Sequence, residues 1–194
     1  MDAERFVAAL RGSDAEAARE LVEAYGNRLF RSACLLCGNH ADAEDLTQET
    51  FLQAIRSVER FRGDSNIYTW LHGILLNLTR HHHRKRKWLV FGENIANEES
   101  AEHQEGGHAM DMEAGALALA EALKKLSQAH REILVLRYYE QMKIGDIAGH
   151  VKISKGTAKS RLFYAVEELR KLVPAEMNLF GDGGTEEKMK VVRR

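Results

Sequence analysis

The sequence of 194 residues has one proline, Pro174, and two cysteines, Cys34 and Cys37. No apolar run approaches the roughly 18 residues that span a bilayer, so membrane insertion is not expected. The scarcity of proline leaves long stretches without a breaker, and the wealth of Ala, Leu, Glu, Lys and Arg favours helix in them. Two cysteines so close together cannot form a disulfide framework, which excludes the small secreted scaffolds and agrees with a reducing compartment. The charged start Met1-Asp2-Ala3-Glu4-Arg5 lacks the form of a signal peptide, so a cytoplasmic location is expected. No glycine-rich phosphate loop or nucleophile–base arrangement is visible, which argues against an enzyme.

Net charge is also missing. Lys and Arg number 28 against 29 Asp and Glu, a formal charge of -1 that looks unsuited to nucleic acid. The order of the charges reverses that impression. Residues 1–90 hold 13 basic and 12 acidic side chains, residues 91–123 hold no Lys or Arg and eight acids, and residues 124–194 hold 15 basic and nine acidic. Neutrality is therefore a cancellation between an acidic middle and a basic end, a block asymmetry that suits polyanionic partners.

The spacing of apolar residues predicts helices. Ser13-Asp14-Ala15-Glu16 has capping-box spacing, and Leu21, Val22, Tyr25, Leu29, Phe30, Ala33 and Leu36 then recur on one face, with a bend expected at Gly26-Asn27 and a C-cap at Gly38-Asn39. A second helix is expected to start at Asp42 as N-cap and to bury Ala43, Leu46, Thr50, Phe51, Ala54, Ile55 and Val58. After a polar loop over 61–66, a third carries Ile67, Trp70, Leu71, Ile74, Leu75 and Leu78 and runs into the basic stretch 80–87. Beyond an acidic segment, helicity resumes over Ala116–Leu126 and again over His130–Tyr139. The expected fold is all-α: two small helical domains, 1–90 and 116–173, a flexible acidic linker over 91–115 and a loose tail over 174–194.

Two constellations carry chemistry. In the first, Asp45, Gln48, Glu49 and Leu52 form a stripe opposite the apolar face of the second helix, a pattern suited to docking on another protein. The loop residues after Phe61 lead into aromatics, then Asn77, Arg80 and a cationic run, and aromatics beside cations are what single-stranded DNA requires. In the second, two helical patterns between Met142 and Leu172 flank a short break, which is helix-turn-helix spacing. Ser154 is placed to cap the second of them, Ile153 to plug the turn, and Ala148 to let the helices approach. Its outward face offers Lys155, Thr157, Lys159, Ser160, Arg161 and Tyr164, suited to phosphates and base edges in a major groove.

The order Asp-Ala-Glu-Asp-Leu-Thr-Gln-Glu-Thr-Phe over 42–51, Phe-Arg-Gly-Asp-Ser from Phe61, Tyr-Thr-Trp-Leu from Tyr68 and then a helix-turn-helix resembles the extracytoplasmic-function sigma factors of the sigma-E type, across residues 13–173. The resemblance implies a non-catalytic initiation subunit that binds core RNA polymerase and promoter DNA, both duplex and melted, and that is held in check by an anti-sigma factor. It further implies that Asp45, Gln48, Glu49 and Leu52 meet the clamp helices of the polymerase. Asp64, Ser65 and Asn66 would take a flipped-out minus-ten base, with Arg62, Tyr68, Thr69, Asn77 and Arg80 along the unpaired strand. Arg84, Lys85, Arg86 and Lys87 would hold duplex phosphate, and Lys155, Thr157, Lys159, Ser160, Arg161 and Tyr164 would read the minus-thirty-five element. Tyr164 stands where the family often has a basic residue.

Trp70 and Leu71 read as core. Cys34-Leu35-Leu36-Cys37 beside His81-His82-His83 has spacing that permits metal ligation, yet cysteines inside an apolar helix read more simply as small hydrophobes, so no metal or cofactor is expected. The acidic linker could lie in the positively charged nucleic-acid path of the polymerase or fold back on the basic domains. The rival reading is a helix-turn-helix regulator that binds DNA without being a polymerase subunit.

Overall fold

The computed structural model describes Val7, residues 14–93 and residues 114–173, and among these residues every regular element is helical. The described chain forms two compact units. The first contains α1 (Ala15–Cys37), α2 (His40–Ser57), a tight turn at Val58–Arg60, and α3 (Ile67–Glu93). The second contains α4 (Ala114–Lys125), α5 (Gln128–Leu134), α6 (Ile144–Val151) and α7 (Lys155–Leu172). Most of the expected linker and the whole tail lie outside the described residues, and α3 and α4 extend into the expected linker over 91–93 and 114–115.

In the first unit, the apolar stripes of the three helices meet. Leu21, Leu29 and Leu36 of α1, Leu46, Phe51 and Ala54 of α2, and Leu71, Leu75 and Leu76 of α3 are buried, each large side chain contributing about 1.5–3 kcal/mol by leaving water. Three threonines also lie in this core. Thr47, Thr50 and Thr79 donate to the carbonyls of Ala43, Leu46 and Leu75 at 2.7, 2.6 and 2.8 Å, so no hydroxyl is left unsatisfied by its burial.

The helix ends differ from expectation in detail. The Asp14 carboxylate accepts from the Glu16 amide at the start of α1, and the Ser13 half of the expected capping box lies outside the described residues. The helix runs through Gly26-Asn27 without a break, and Val22 is exposed rather than packed. Gly38 closes it in the left-handed conformation, φ 73°, with its amide on the Cys34 carbonyl. Asn39, not Asp42, caps α2, accepting from the Asp42 amide at 3.0 Å. Asn39 is an equally good cap and comes first, while the Asp42 side chain is drawn toward α3.

The second unit is anchored by a buried cation. Arg131 of α5 donates from Nε to the Leu123 carbonyl at 2.8 Å and from Nη2 to those of Lys124 and Leu126 at 2.7 and 3.3 Å. These carbonyls end α4 and its following turn, where helical partners run out. The expected helix over His130–Tyr139 begins earlier, at Gln128 behind a Ser127 cap, and opens after Leu134 into a wide turn over Val135–Tyr139. There the Glu140 amide reaches back to the Val135 carbonyl and that of Met142 to Leu136. As a result Leu136 stays inside while Tyr138 and Tyr139 are exposed.

Candidate nucleic-acid interface

α6 and α7 meet through Ile147, Ala148 and Val151 on one side and Ala158, Leu162 and Ala165 on the other, all buried. The turn between them is three residues. Lys152 adopts φ 58°, ψ 50°, a left-handed position that glycine occupies more cheaply, and the Ile153 amide then bonds the Ala148 carbonyl at 3.0 Å. Ile153 is half-buried, and Ser154 caps α7 by accepting from the Thr157 amide at 3.0 Å. The same Ser154 oxygen lies 2.8 Å from the Thr157 hydroxyl.

The face of α7 turned away from the packing carries Lys155, Thr157, Ser160 and Tyr164 exposed and Lys159 and Arg161 half-buried. Tyr164 is 61% exposed and its ring meets that of Phe163 edge-on. His130 of α5 and Glu168 of α7 are joined at 2.5 Å, fixing the far half of α7 on its scaffold. All six expected reader side chains thus lie between Lys155 and Tyr164, in the first part of α7.

In the first unit, Asp45, Gln48 and Leu52 are exposed and Glu49 half-buried on the outer face of α2, behind the buried Leu46 and Thr50. Leu52 is 47% exposed, an apolar side chain set among polar ones. The loop over 61–66 presents Arg62, Asp64, Ser65 and Asn66 to solvent, and Gly63 supplies its positive φ of 77°. Phe61 and Trp70 pack with ring centroids 5.0 Å apart, so Trp70 is a half-buried wall of this loop, while Leu71 is fully core. Asn66 has a second duty, since its Oδ1 accepts from the Thr69 amide at 2.7 Å and holds the start of α3.

Along α3, Thr69, Asn77, Arg80 and Arg84 recur on one side at helical spacing, with Asn77 and Arg84 exposed and Thr69 and Arg80 half-buried. Tyr68 lies apart from that side. Its ring faces α1, with the Arg28 guanidinium 3.8 Å from its centroid and the rings of Tyr25 and His72 at 6.0 and 5.9 Å. Farther on, Lys85 is exposed and Arg86 reaches Asp42 at 3.6 Å, a carboxylate that His82 also approaches at 3.5 Å. The Lys87 side chain lies outside those described.

Sequence reasoning did not single out Arg28 or the partnership of Asp42. The spacing Tyr25, Arg28, Ser32 places all three on one face of α1, and that was the available signal. Burial pushes the Cys34 thiol up to about 11, with Cys37 and Glu44 adding to it, and Cys37 donates to the Ala33 carbonyl. Among the described residues no cluster of His, Cys, Asp and Glu is arranged to hold a metal ion.

Residues 21–89 match sigma-70 region 2, and residues 122–171 match sigma-70 region 4. The RNA polymerase sigma-H factor of Pseudomonas aeruginosa is 30% identical over 178 residues, 87% of this chain and 92% of that protein. The ECF RNA polymerase sigma factor SigL of Mycobacterium tuberculosis is 35% identical over 163 residues, 80% of this chain and 89% of that one. The sigma factor RpoE of Bartonella quintana, solved with the anti-sigma factor NepR, aligns with a TM-score of 0.64 at 29% identity, covering 79% of this chain and 94% of that one. The chain belongs to the extracytoplasmic-function sigma factors, initiation subunits that bind core RNA polymerase and direct it to promoters.

Proposed function

We propose that Asp45, Gln48, Glu49 and Leu52 form the surface that docks on core RNA polymerase, and that the three described DNA-facing regions divide the promoter between them. Arg62, Asp64, Ser65 and Asn66, with Tyr68, Thr69, Asn77 and Arg80, take the melted minus-ten strand. Arg84, Lys85, Arg86 and Lys87 hold the duplex beside it, and Lys155, Thr157, Lys159, Ser160, Arg161 and Tyr164 read the minus-thirty-five duplex. The corresponding domains are 1–90 and 116–173, with 91–115 as an acidic linker and 174–194 as a tail. The observation that carries this reading is α7, an N-capped helix whose buried side fastens it to α6 and whose other side holds cations and hydroxyls.

Binding and strand capture are the whole of the chemistry, with no bond made or broken by this chain. Flipping a base out costs a few kcal/mol, which stacking and hydrogen bonds in the loop must return. By likeness to the Bartonella complex, an anti-sigma factor holds the free protein in the cytoplasm. Run-off transcription from a cognate promoter tests the reading. It must need both this chain and core enzyme, and K159A/R161A must abolish its dependence on the minus-thirty-five element. Sequence-specific DNA binding by the chain alone, with no gain on adding core enzyme, would favour the free regulator.

A further inference from the structure

The cations that end the described part of α3 differ in their surroundings. Arg84 and Lys85 are exposed, and among the described residues neither pairs with a carboxylate, whereas Arg86 lies 3.6 Å from one oxygen of Asp42. His82 approaches the other oxygen of that carboxylate at 3.5 Å. Four residues apart, His82 and Arg86 share the side of α3 that faces α2, and Arg84, midway between them, falls on the opposite side. Asp42 stands in the first turn of α2, where the positive end of the helix favours a carboxylate. It precedes the stripe from Asp45 to Leu52 and takes no part in it. The His82 ring is seated against the fold, with Nδ1 buried and without a hydrogen-bond partner, and presents Nε2 to the carboxylate.

Neither approach is as short as a good hydrogen bond, so Asp42 offsets the charge of Arg86 without capturing its donors. The Arg86 side chain is 51% exposed and open to a ligand from solvent. A phosphate that takes this guanidinium draws it from Asp42 and leaves the carboxylate beside the DNA. The phosphate sheds a counterion, but the bared carboxylate gathers one, so the pair adds less to affinity and to salt dependence than a free arginine would. We propose that Asp42 is an internal counter-charge to Arg86 that weakens the hold of α3 on the duplex beside the minus-ten element. Contacts to phosphate carry no sequence information, so this damping acts on DNA of any sequence and limits how firmly the holoenzyme lodges where there is no promoter. The inference rests on the assignment of the cations at 84–87 to duplex phosphate.

The test uses holoenzyme reconstituted from the full chain and core polymerase. One promoter fragment keeps the duplex just upstream of an unpaired minus-ten strand, and a second probe is the minus-ten strand alone. Affinity is measured over a range of salt for wild type, D42N, D42S, D42E, D42N/R86Q and R84Q. On the first fragment D42N and D42S should bind about threefold more tightly, the scale of one exposed ion pair. Their salt slope should be steeper by up to about 0.9, the signature of one further phosphate contact on duplex. D42E, which keeps the charge, should match wild type, and D42N/R86Q should lose the whole gain. On the single strand D42N should match wild type. Tighter binding cannot come from a damaged fold, so a purely structural role for Asp42 predicts the opposite sign. Unchanged or weaker binding by D42N and D42S, or a gain that persists without Arg86 or without the duplex, overturns the proposal. R84Q is the second arm, expected to weaken duplex binding with a shallower slope. If it does so while D42N gains nothing, this inference fails alone; if R84Q binds as wild type, the duplex assignment fails with it.

Discussion

Arg131 is the strongest single handle on the second unit. In Arg131→Ala the carbonyls of Leu123 and Lys124 lose charge-assisted bonds of 2.8 and 2.7 Å, and that of Leu126 a longer one of 3.3 Å. At roughly 1.5 kcal/mol for each short bond, and little for the long one, the loss is about 3 kcal/mol. A helical unit of this size holds only about 3–5 kcal/mol from its core, so the substitution brings it close to unfolding at room temperature. The two tryptophans allow the units to be followed separately, because Trp70 and Trp88 both lie in α3 of the first. On urea titration of the full chain, far-UV circular dichroism should lose an early helical step in R131A while the tryptophan emission transition stays in place. R131K, which keeps the charge but not the fork, should recover about half of the loss. A coincident shift of both signals would refute the separate stability of the units, and a change under about 1 kcal/mol would refute the anchoring role itself.

Leu52→Asp should weaken binding to core polymerase in a competition assay by at least tenfold, yet leave the melting temperature of the free chain unchanged, because Leu52 buries little in its own fold. Lys152→Gly should stabilise the second unit by about 0.5–1 kcal/mol by relieving a left-handed lysine, read as a higher midpoint of the early urea step. Cys34 should react slowly with a thiol reagent at pH 8, since burial holds its pKa near 11 against an ordinary value of 9.0. The folded state favours the neutral thiol, so this contribution to stability is complete below pH 9.0 and is lost as pH rises through about 11; a fully reactive Cys34 at pH 8 would contradict it.

The parts of this fold legible in the sequence are those written in local chemistry. Gly38 closing α1, Ser154 capping α7 and the stripe Asp45, Gln48, Glu49 and Leu52 all follow from spacing and from what one side chain does to its nearest amides. The misreadings arise where a distant partner decides. Asp42 looks like a cap and Asn39 does not stand out, but the Asp42 carboxylate faces Arg86 and His82, some forty residues away. Arg131 is not singled out at all, because the backbone carbonyls it bonds leave no trace in side-chain identity. The wide turn over Val135–Tyr139 is hidden in an apolar run whose helical period looks unbroken. Of the candidate interface, α7 was visible as a face, whereas the Arg28–Tyr68 pair emerges only when α1 and α3 lie side by side.

That the proposed polymerase-docking stripe and the proposed minus-thirty-five reader fall in different compact units has a consequence inside a cell if both assignments hold. A lesion confined to α4–α7 would leave a chain that still captures core enzyme but cannot direct it to a full promoter. Such a chain is a poison rather than a blank: it sequesters a shared and limited enzyme from every competing factor. Damage to α2, by contrast, yields a chain that merely drops out of the competition.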